Sequence, residues 1–268
     1  MKSSFANEAA LCAAFISRLP EGWTAYPETA GFDILLVRTL DGVQIGIEAK
    51  KSLNAKVIVQ ALESLSPSRQ GHGPDFRAVL VPDGTAGADM SEIARRFGVT
   101  VIEMKSPEAV EHEATEYERR YGIIGHRREV KPFTPELPTV RDLWDDRRNW
   151  HEQCPLFREG VPDYVPDVAA GSAAPVQLSE WKIKAIKICI LLERRGFVTI
   201  ADFKHVEINR QRWLAMHWLK FGDGRGIYVK GSNPLDLRAQ HPINFAQIES
   251  DFEKWKPAEV VPAQAVML

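Results

Sequence analysis

The chain has 268 residues, of which 44% are hydrophobic and 26% are charged, a composition that excludes disordered, collagen-like and coiled-coil chains. Its 34 Lys and Arg nearly balance its 36 Asp and Glu, so the formal net charge of −2 indicates no particular partner. The cysteines, Cys12, Cys154 and Cys189, form neither a disulfide framework nor a CxxC metal pattern, which favours a reducing cytoplasm. No apolar run approaches the ~18 residues of a membrane span, so we expect no membrane partner.

Zones of different periodicity divide the chain. The predicted parts are a first domain over 1–121, a connector over 122–178, a second domain over 179–256 and a tail over 257–268. The connector holds seven of the 17 prolines and shows little periodicity, so we expect an extended segment. We expect it to pack on its neighbours through Trp144, Trp150 and Phe157.

The first domain alternates helical and strand patterns. Apolar residues from Phe5 to Leu19 form the stripe of a helix that ends at Pro20, and Asp41-Gly42 is typical of a tight hairpin turn. The predicted elements are a helix at 5–19, strands at 23–26, 32–39 and 43–51, a helix at 55–65, a strand at 76–81, a helix at 88–97 and a strand at 99–104. This order predicts an α/β fold in which helices flank a mixed sheet.

Charged side chains interrupt two of these strands. Because strand side chains alternate between faces, Glu48 and Lys50 share the face opposite to the apolar residues of their strand. Asp33 lies within the apolar run 31–37 of the preceding strand. A charge at that position requires either a neighbouring cation or exposure at the end of the sheet.

Two further polar residues interrupt helical patterns. Glu8 lies within the apolar stripe of the first helix, and Gln60 lies in the helix that follows Lys50. With Asp33 and Glu48, these residues could converge from a helix, two paired strands and the next helix. Such a group supports phosphodiester hydrolysis, in which Asp33 and Glu48 hold Mg²⁺ or Mn²⁺ and the metal activates a water. Lys50 orients that water or stabilises developing charge, Glu8 is a supporting acid, and Gln60 positions Lys50 or a phosphate.

The pattern of Asp33 followed on the paired strand by Glu48-Ala49-Lys50 resembles that of the PD-(D/E)xK nuclease superfamily, which has the restriction-endonuclease-like fold. The resemblance covers about residues 1–105 and includes the order of the elements. Polar residues also stand at the two helix positions where many members carry supporting residues. The resemblance implies a metal-dependent nuclease core. It departs from the motif at Phe32, which stands in place of a proline that members of the family often lack.

The tripeptide alone carries little information, because [DE]xK occurs five times in the chain. Only the first follows an aspartate on an adjoining strand and precedes a helix, whereas Glu103 and Lys105 end a strand without such a partner. Taken singly, the residues have ordinary explanations. Asp33 is then a strand-end aspartate bonded to backbone, Glu48 and Lys50 form a solvated edge, and the two helix residues are surface groups.

The second domain has a helical pattern that ends in a hairpin signal. The predicted elements are a helix from 181 to Gly196, a short strand or turn at 197–200, a helix at 201–205, a helix that Asn209 caps and that runs through Phe221, a glycine-rich turn at 222–226, a strand at 227–229 and a closing helix at 243–255. This order resembles a winged helix-turn-helix. Such modules bind either DNA or other proteins.

Basic charge concentrates in this domain. Residues 179–238 contain 12 Lys and Arg against six Asp and Glu, a charge of +6, and the rest of the chain carries −8. This distribution favours a nucleic-acid partner. The predicted DNA contacts are Arg210, Gln211 and Arg212 at the start of the recognition helix and Arg225 on the wing.

The sequence therefore predicts a Mg²⁺- or Mn²⁺-dependent deoxyribonuclease whose second domain positions DNA. It leaves open RNA as a substrate, endo- or exonucleolytic cleavage, and a homodimer or larger complex. Two alternatives also stay open. One is a nuclease-derived fold that binds nucleic acid or a partner without cutting. The other is a subunit whose winged helix docks on a larger nucleic-acid-processing or defence assembly.

Overall fold

The structure is a computed structural model, and it describes residues 5–63, 71–121, 130–140, 148–172 and 177–258. The chain divides into two compact units, Met1–Gln177 and Leu178–Leu268. Within the described ranges, no helix combines the length and the apolar character that crossing a membrane requires.

The first unit is built on a six-stranded mixed sheet. Its elements are α1 (Glu8–Ile16), β1 (Trp23–Thr29), β2 (Phe32–Arg38), β3 (Gln44–Ala49), α2 (Ala55–Leu62), β4 (Phe76–Pro82), α3 (Ala88–Arg96), β5 (Val99–Met104), α4 (Pro107–Tyr121) and β6 (Phe133–Thr134). The strands lie side by side in chain order. Pairing is antiparallel from β1 to β3, parallel from β3 to β5 and antiparallel between β5 and β6. The predicted α/β fold with a mixed, helix-flanked sheet is confirmed.

Helices cover both faces of this sheet. On one face α1 buries Leu11 and Phe15 in a core with residues of β2, β3 and β4. On the other face α2 buries Val57 and Ile58 in a core with residues of β4 and β5. Each large apolar side chain buried in this way stabilises the unit by ~1.5–3 kcal/mol. The two cores fix α1 and α2 on opposite sides of β3.

Local signals set the ends of the elements around β3. The side chain of Asn7 accepts a hydrogen bond from Ala10 N (2.8 Å) and caps α1, so that Glu8 lies in its first turn. Asn54 caps α2 in the same way. Gly42 adopts a φ of +71°, which glycine tolerates readily, and its N–H closes the β2–β3 turn. The predicted hairpin is confirmed.

The described part of the predicted connector belongs to the first unit. Phe133 forms β6 with its neighbour and is buried, although the sequence pattern shows no strand there. Trp150 is 5% exposed and packs edge-on against Phe76, whereas Phe157 is 60% exposed and stacks on His72. Trp144 lies outside the described residues.

Residues 148–172 form an irregular segment, the strap, that runs over the first unit. Gln153 N donates to Asp75 O (2.8 Å). Further along, Glu159 exchanges two hydrogen bonds with the side chain of Gln44 at the start of β3 (2.8 and 2.9 Å). These bonds satisfy backbone N–H and C=O groups of the strap that are not paired in a regular strand. The strap then reaches α1 at Gly171.

The second unit combines short helices with a small antiparallel sheet. Its elements are α5 (Glu180–Arg195), β7 (Val198–Thr199), α6 (Ile200–His205), α7 (Gln211–Ala215), β8 (Leu219–Phe221), β9 (Ile227–Lys230), α8 (Leu237–Gln240), α9 (Pro242–Ser250) and α10 (Phe252–Trp255). The strand order is β7-β9-β8, and β8 and β9 form a hairpin around the predicted glycine-rich turn, although β8 lies where the sequence predicts the end of a helix.

Two predicted helices of this unit need correction. The helix predicted from Asn209 through Phe221 ends at Ala215, because His217 adopts a left-handed φ of +56° and the chain then enters β8. The closing helix is interrupted at Asp251 and forms α9 and α10. In both cases apolar residues continue at helical spacing beyond the residue at which the helix ends.

Candidate active site

Three acidic residues follow one another across the first three strands of the sheet. The β1/β2 register pairs Thr29 with Phe32 and thereby places Glu28 opposite Asp33. The β2/β3 register, continued one step beyond its last pair, places Asp33 opposite Glu48. Carboxylates that are this close repel one another unless protons or cations compensate their charge.

Asp33 is fixed by the backbone of β3. Its Oδ2 accepts a hydrogen bond from Ala49 N at 2.7 Å. Burial raises the pKa of Asp33, and this bond and the charge of Lys50 only partly oppose that effect. The hydrogen bond orients the carboxylate, and no bond from a described residue reaches its Oδ1.

Glu48 is the least solvent-exposed acid of the group. It is 7% exposed, and its carboxylate makes no hydrogen bond or ion pair with any residue that the structure describes. Burial, followed by the charge of Asp33, raises the pKa of Glu48 to about 8, although Lys50 opposes the shift. Lys50 therefore compensates the charge of Glu48 only in part and without a direct bond.

Lys50 and Glu8 form an ion pair beside these acids. Lys50 Nζ lies 3.0 Å from Glu8 Oε2, and the two side chains are 27% and 33% exposed. Partial burial by itself would lower the pKa of Lys50, but the bond to Glu8 and the charge of Asp33 raise it above its usual value. Lys50 therefore carries its charge at neutral pH. The pair joins the first turn of α1 to the end of β3.

Gln60, the fifth predicted residue, has no described contact with this group. It lies on α2 and is half-buried, and its Oε1 is buried without a hydrogen-bond partner among the described residues. The structure thus brings together four of the five predicted residues, namely Glu8, Asp33, Glu48 and Lys50. The role predicted for Gln60 stays a prediction.

Glu28 belongs to the site but the sequence pattern does not single it out. Burial, followed by the charge of Asp33, raises its pKa, while N–H groups of Gly171 and Ser172 oppose the shift. Its backbone φ of +49° departs from the strand conformation around it. Only the register with β2 reveals this neighbour, because nothing in the spacing of β1 marks the position.

The donor chemistry of the site fits a hard divalent cation. Mg²⁺ prefers oxygen ligands and takes one or two carboxylates beside waters and substrate phosphates. Asp33 and Glu48 offer such a pair, and Glu48 makes no ion pair with any residue that the structure describes. In the ranges that the structure covers, no three His, Cys, Asp or Glu side chains form a group that could hold a metal. The residues therefore fit two protein ligands, and not a closed cage of three.

The residues predicted to contact DNA lie on exposed parts of the second unit. Arg210, Gln211 and Arg212 stand at the start of α7, and Arg225 lies in the β8–β9 turn. The Arg212 guanidinium lies over the Trp181 ring, 5.0 Å from its centroid. A surface cavity of about 430 Å³ lies beside Arg210 and Gln211. Arg212 therefore already contacts an aromatic ring of its own unit.

No protein-family model matches this chain, and no match is found among curated proteins or solved structures. The activity of the site must therefore be inferred from its own residues and their geometry. The basis for that inference is the group formed by Glu8, Asp33, Glu48 and Lys50.

Proposed function

We propose that the first unit hydrolyses phosphodiester bonds of DNA with the help of Mg²⁺ or Mn²⁺. The observation that supports this proposal best is the pair of buried acids on adjacent strands, Asp33 and Glu48, beside a protonated lysine. None of the described cations forms an ion pair with Glu48, and a divalent cation would supply that partner. The resemblance to the PD-(D/E)xK nucleases agrees with this arrangement.

Each residue of the group has a distinct task in this proposal. The carboxylates of Asp33 and Glu48 would hold the ion, which would polarise the phosphoryl oxygen and lower the pKa of a bound water. The Ala49 N–H keeps the Asp33 carboxylate oriented. Lys50 stabilises the negative charge that develops on the phosphate, and Glu8 holds the Lys50 amine in place.

Cleavage of DNA by the purified protein tests the proposal. We expect the protein to nick supercoiled plasmid or degrade linear DNA with Mg²⁺ or Mn²⁺, and to stop when EDTA is added. Asp33→Asn and Lys50→Met should each lower the rate ~10²-fold or more, since each removes a group that acts on the reacting phosphate. Thermal unfolding of each variant shows whether it is folded.

The chain supplies a matched control at the end of β5. Glu103 and Lys105 form the same tripeptide pattern, but their described partners are Gly84 N and Glu113 and not the acidic group. Glu103→Gln and Lys105→Met should therefore cut DNA at the wild-type rate. Equal cleavage by wild type, Asp33→Asn and Lys50→Met, or cleavage that persists in EDTA, would show that the assignment is wrong.

We further propose that the second unit is a winged-helix-like module that positions DNA. Its order of helix, strand, two helices and hairpin, with the strand order β7-β9-β8, supports this interpretation. Exposed basic side chains at the start of α7 and on the hairpin add a surface suited to phosphates, and they include Arg210, Lys220, Arg225 and Lys230.

A binding protein that does not cut is the second candidate. One observation favours it: the Lys50 amine is already engaged by Glu8. Such a protein would bind DNA equally well with and without EDTA and would cleave under neither condition. The cleavage assay therefore separates the two candidates directly.

A further inference from the structure

The end of the strap lies between Glu28 and helix α1. Gly171 donates its backbone N–H to Glu28 Oε1 at 2.8 Å, and Ser172 donates its backbone N–H to the same oxygen at 3.3 Å. Hydrogen bonds from N–H groups to a carboxylate are stronger than those between neutral groups. A single carboxylate oxygen on β1 thus holds the end of the strap.

Gly171 also fits tightly against the first half of α1. An added Cβ would lie 3.0 Å from Cys12 Sγ and 3.1 Å from the carbonyl carbon of Glu8, closer than side chains normally approach. The residue also has a φ of +71°, which favours glycine. The strap therefore contacts the backbone of Glu8 through a residue that has no room for a side chain.

A continuous set of contacts connects Glu28 with Lys50. Glu28 Oε1 holds Gly171, Gly171 packs on the backbone of Glu8, and the Glu8 carboxylate binds Lys50 Nζ at 3.0 Å. We infer that Glu28 is a positioning residue: by holding the strap, it fixes the first turn of α1 and with it the Glu8–Lys50 ion pair. Its catalytic importance rests on the function proposed above for Lys50.

The contacts of Glu28 indicate positioning and not metal binding. Its Oε1 is already occupied by two N–H groups, and the part of the chain that the structure describes contains no group of three acids able to share an ion. A glutamine at position 28 retains an Oε1 that accepts both hydrogen bonds but carries no charge. Glu28→Gln should therefore preserve positioning, whereas Glu28→Ala should abolish it.

Chemical modification of Lys50 tests the inference without relying on catalysis. The full-length protein is treated with acetic anhydride, and the acetylation of Lys50 is followed by mass spectrometry, with the exposed Lys220 as internal reference. In Glu28→Ala, the displaced Glu8 should no longer cover the Lys50 amine, which then becomes more accessible to the reagent. We expect Lys50 to react several-fold faster than in the wild-type protein. Glu28→Gln should react at the wild-type rate.

The strap provides a second pair of variants. Gly171→Ala should accelerate Lys50 acetylation as Glu28→Ala does, because the added methyl group displaces the strap from α1. Gly160→Ala, in the same strap but with open space around its Cβ, should leave the rate unchanged. If Glu28→Ala does not fold, the comparison of these two glycine variants carries the test.

The outcomes separate this inference from the proposed function. Faster acetylation in Glu28→Ala and Gly171→Ala supports positioning, whether or not the wild-type protein cuts DNA. A wild-type rate of Lys50 acetylation in both variants overturns it. Equal loss of cleavage in Glu28→Gln and Glu28→Ala, with no change in Lys50 acetylation, also overturns it and assigns the charge of Glu28 to the metal.

Discussion

At the scale of single residues, Glu48 has the most unusual surroundings in the candidate site. It lies in the interior of the sheet beside Asp33, and its pKa is raised to about 8 by burial and by that neighbour. Buried carboxylates normally have hydrogen bonds or cations around them. A site that binds a cation accounts for a carboxylate held in this condition.

The raised pKa of Glu48 predicts how stability changes with pH when no divalent cation is present. The unfolded chain ionises this carboxyl near 4.5, whereas the folded protein retains the proton up to about 8. The free energy of unfolding should therefore fall between pH 4.5 and 8, by about 4 kcal/mol from this group. Glu48→Gln should remove most of that fall, which urea unfolding in EDTA at pH 5 and pH 8 measures.

Glu103→Gln serves as the control for this experiment, because Glu103 ends β5 away from the acidic group. It should show the same loss of stability between pH 5 and pH 8 as the wild-type protein. If the stability of Glu48→Gln keeps the full wild-type dependence on pH, the Glu48 carboxyl does not have the raised pKa described above.

At the scale of elements, the strands with regular patterns could be predicted from the sequence and the irregular segments could not. The hairpin and the central strands carry clear apolar runs and turn residues, and β5 has the predicted bounds. Helix α4 has seven charged residues among its 15, and its apolar stripe is thin, so the pattern indicates this helix only weakly. Strand β6 has only two residues. The backbone groups of the strap form separate hydrogen bonds with residues that are distant in the sequence.

The residues of the candidate site also divide into those that the sequence pattern indicates and those that it does not. Alternation along β3 and the charge within β2 indicate Glu48, Lys50 and Asp33, because those positions break an apolar pattern. Glu28 becomes visible only when the register between β1 and β2 is known. The strap residue Gly171 lies 143 positions from Glu28, and no local pattern predicts such a contact.

The residue before Asp33 is also explained at this scale. Phe32 stands at the proline position of the motif that the chain resembles, and its ring lies over Gly46 of β3. An added Cβ at Gly46 would lie 2.6 Å from ring carbons of Phe32. The glycine therefore makes room for the ring, and the two residues together pack the strand pair beside Asp33.

At the scale of the whole molecule, the uneven distribution of charge is the main indication of a nucleic-acid partner. Residues 179–238 carry +6 and the rest of the chain carries −8. Several basic residues of this segment form ion pairs within the second unit, among them Lys184, Arg195 and Arg238. Arg210 and Arg225 are exposed and are therefore the better candidates for phosphate contacts.

Charge reversal at these two positions tests the proposed role of the second unit. Arg210→Glu combined with Arg225→Glu should weaken binding to duplex DNA. It should also reduce the slope of log affinity against log salt by about two, because each arginine neutralises about one phosphate. Fluorescence anisotropy in EDTA, where no cleavage occurs, measures both quantities across several salt concentrations.

A double reversal on the first unit gives the matched control. Arg95→Glu with Arg96→Glu changes the net charge equally on the exposed face of α3, where both side chains pair with Glu92. This variant should keep the wild-type salt slope. Unchanged affinity in the Arg210 and Arg225 variant would instead indicate that the second unit docks on a protein.

The proposal that Asp33 and Glu48 jointly hold a divalent cation is tested most directly by diffraction from crystals soaked in Mn²⁺, recorded at the manganese absorption edge. We predict an anomalous peak within ligand distance of both carboxylates, and its loss in Asp33→Asn crystals. A map without a peak between these side chains, or with Mn²⁺ bound only elsewhere on the protein, would contradict the proposed site.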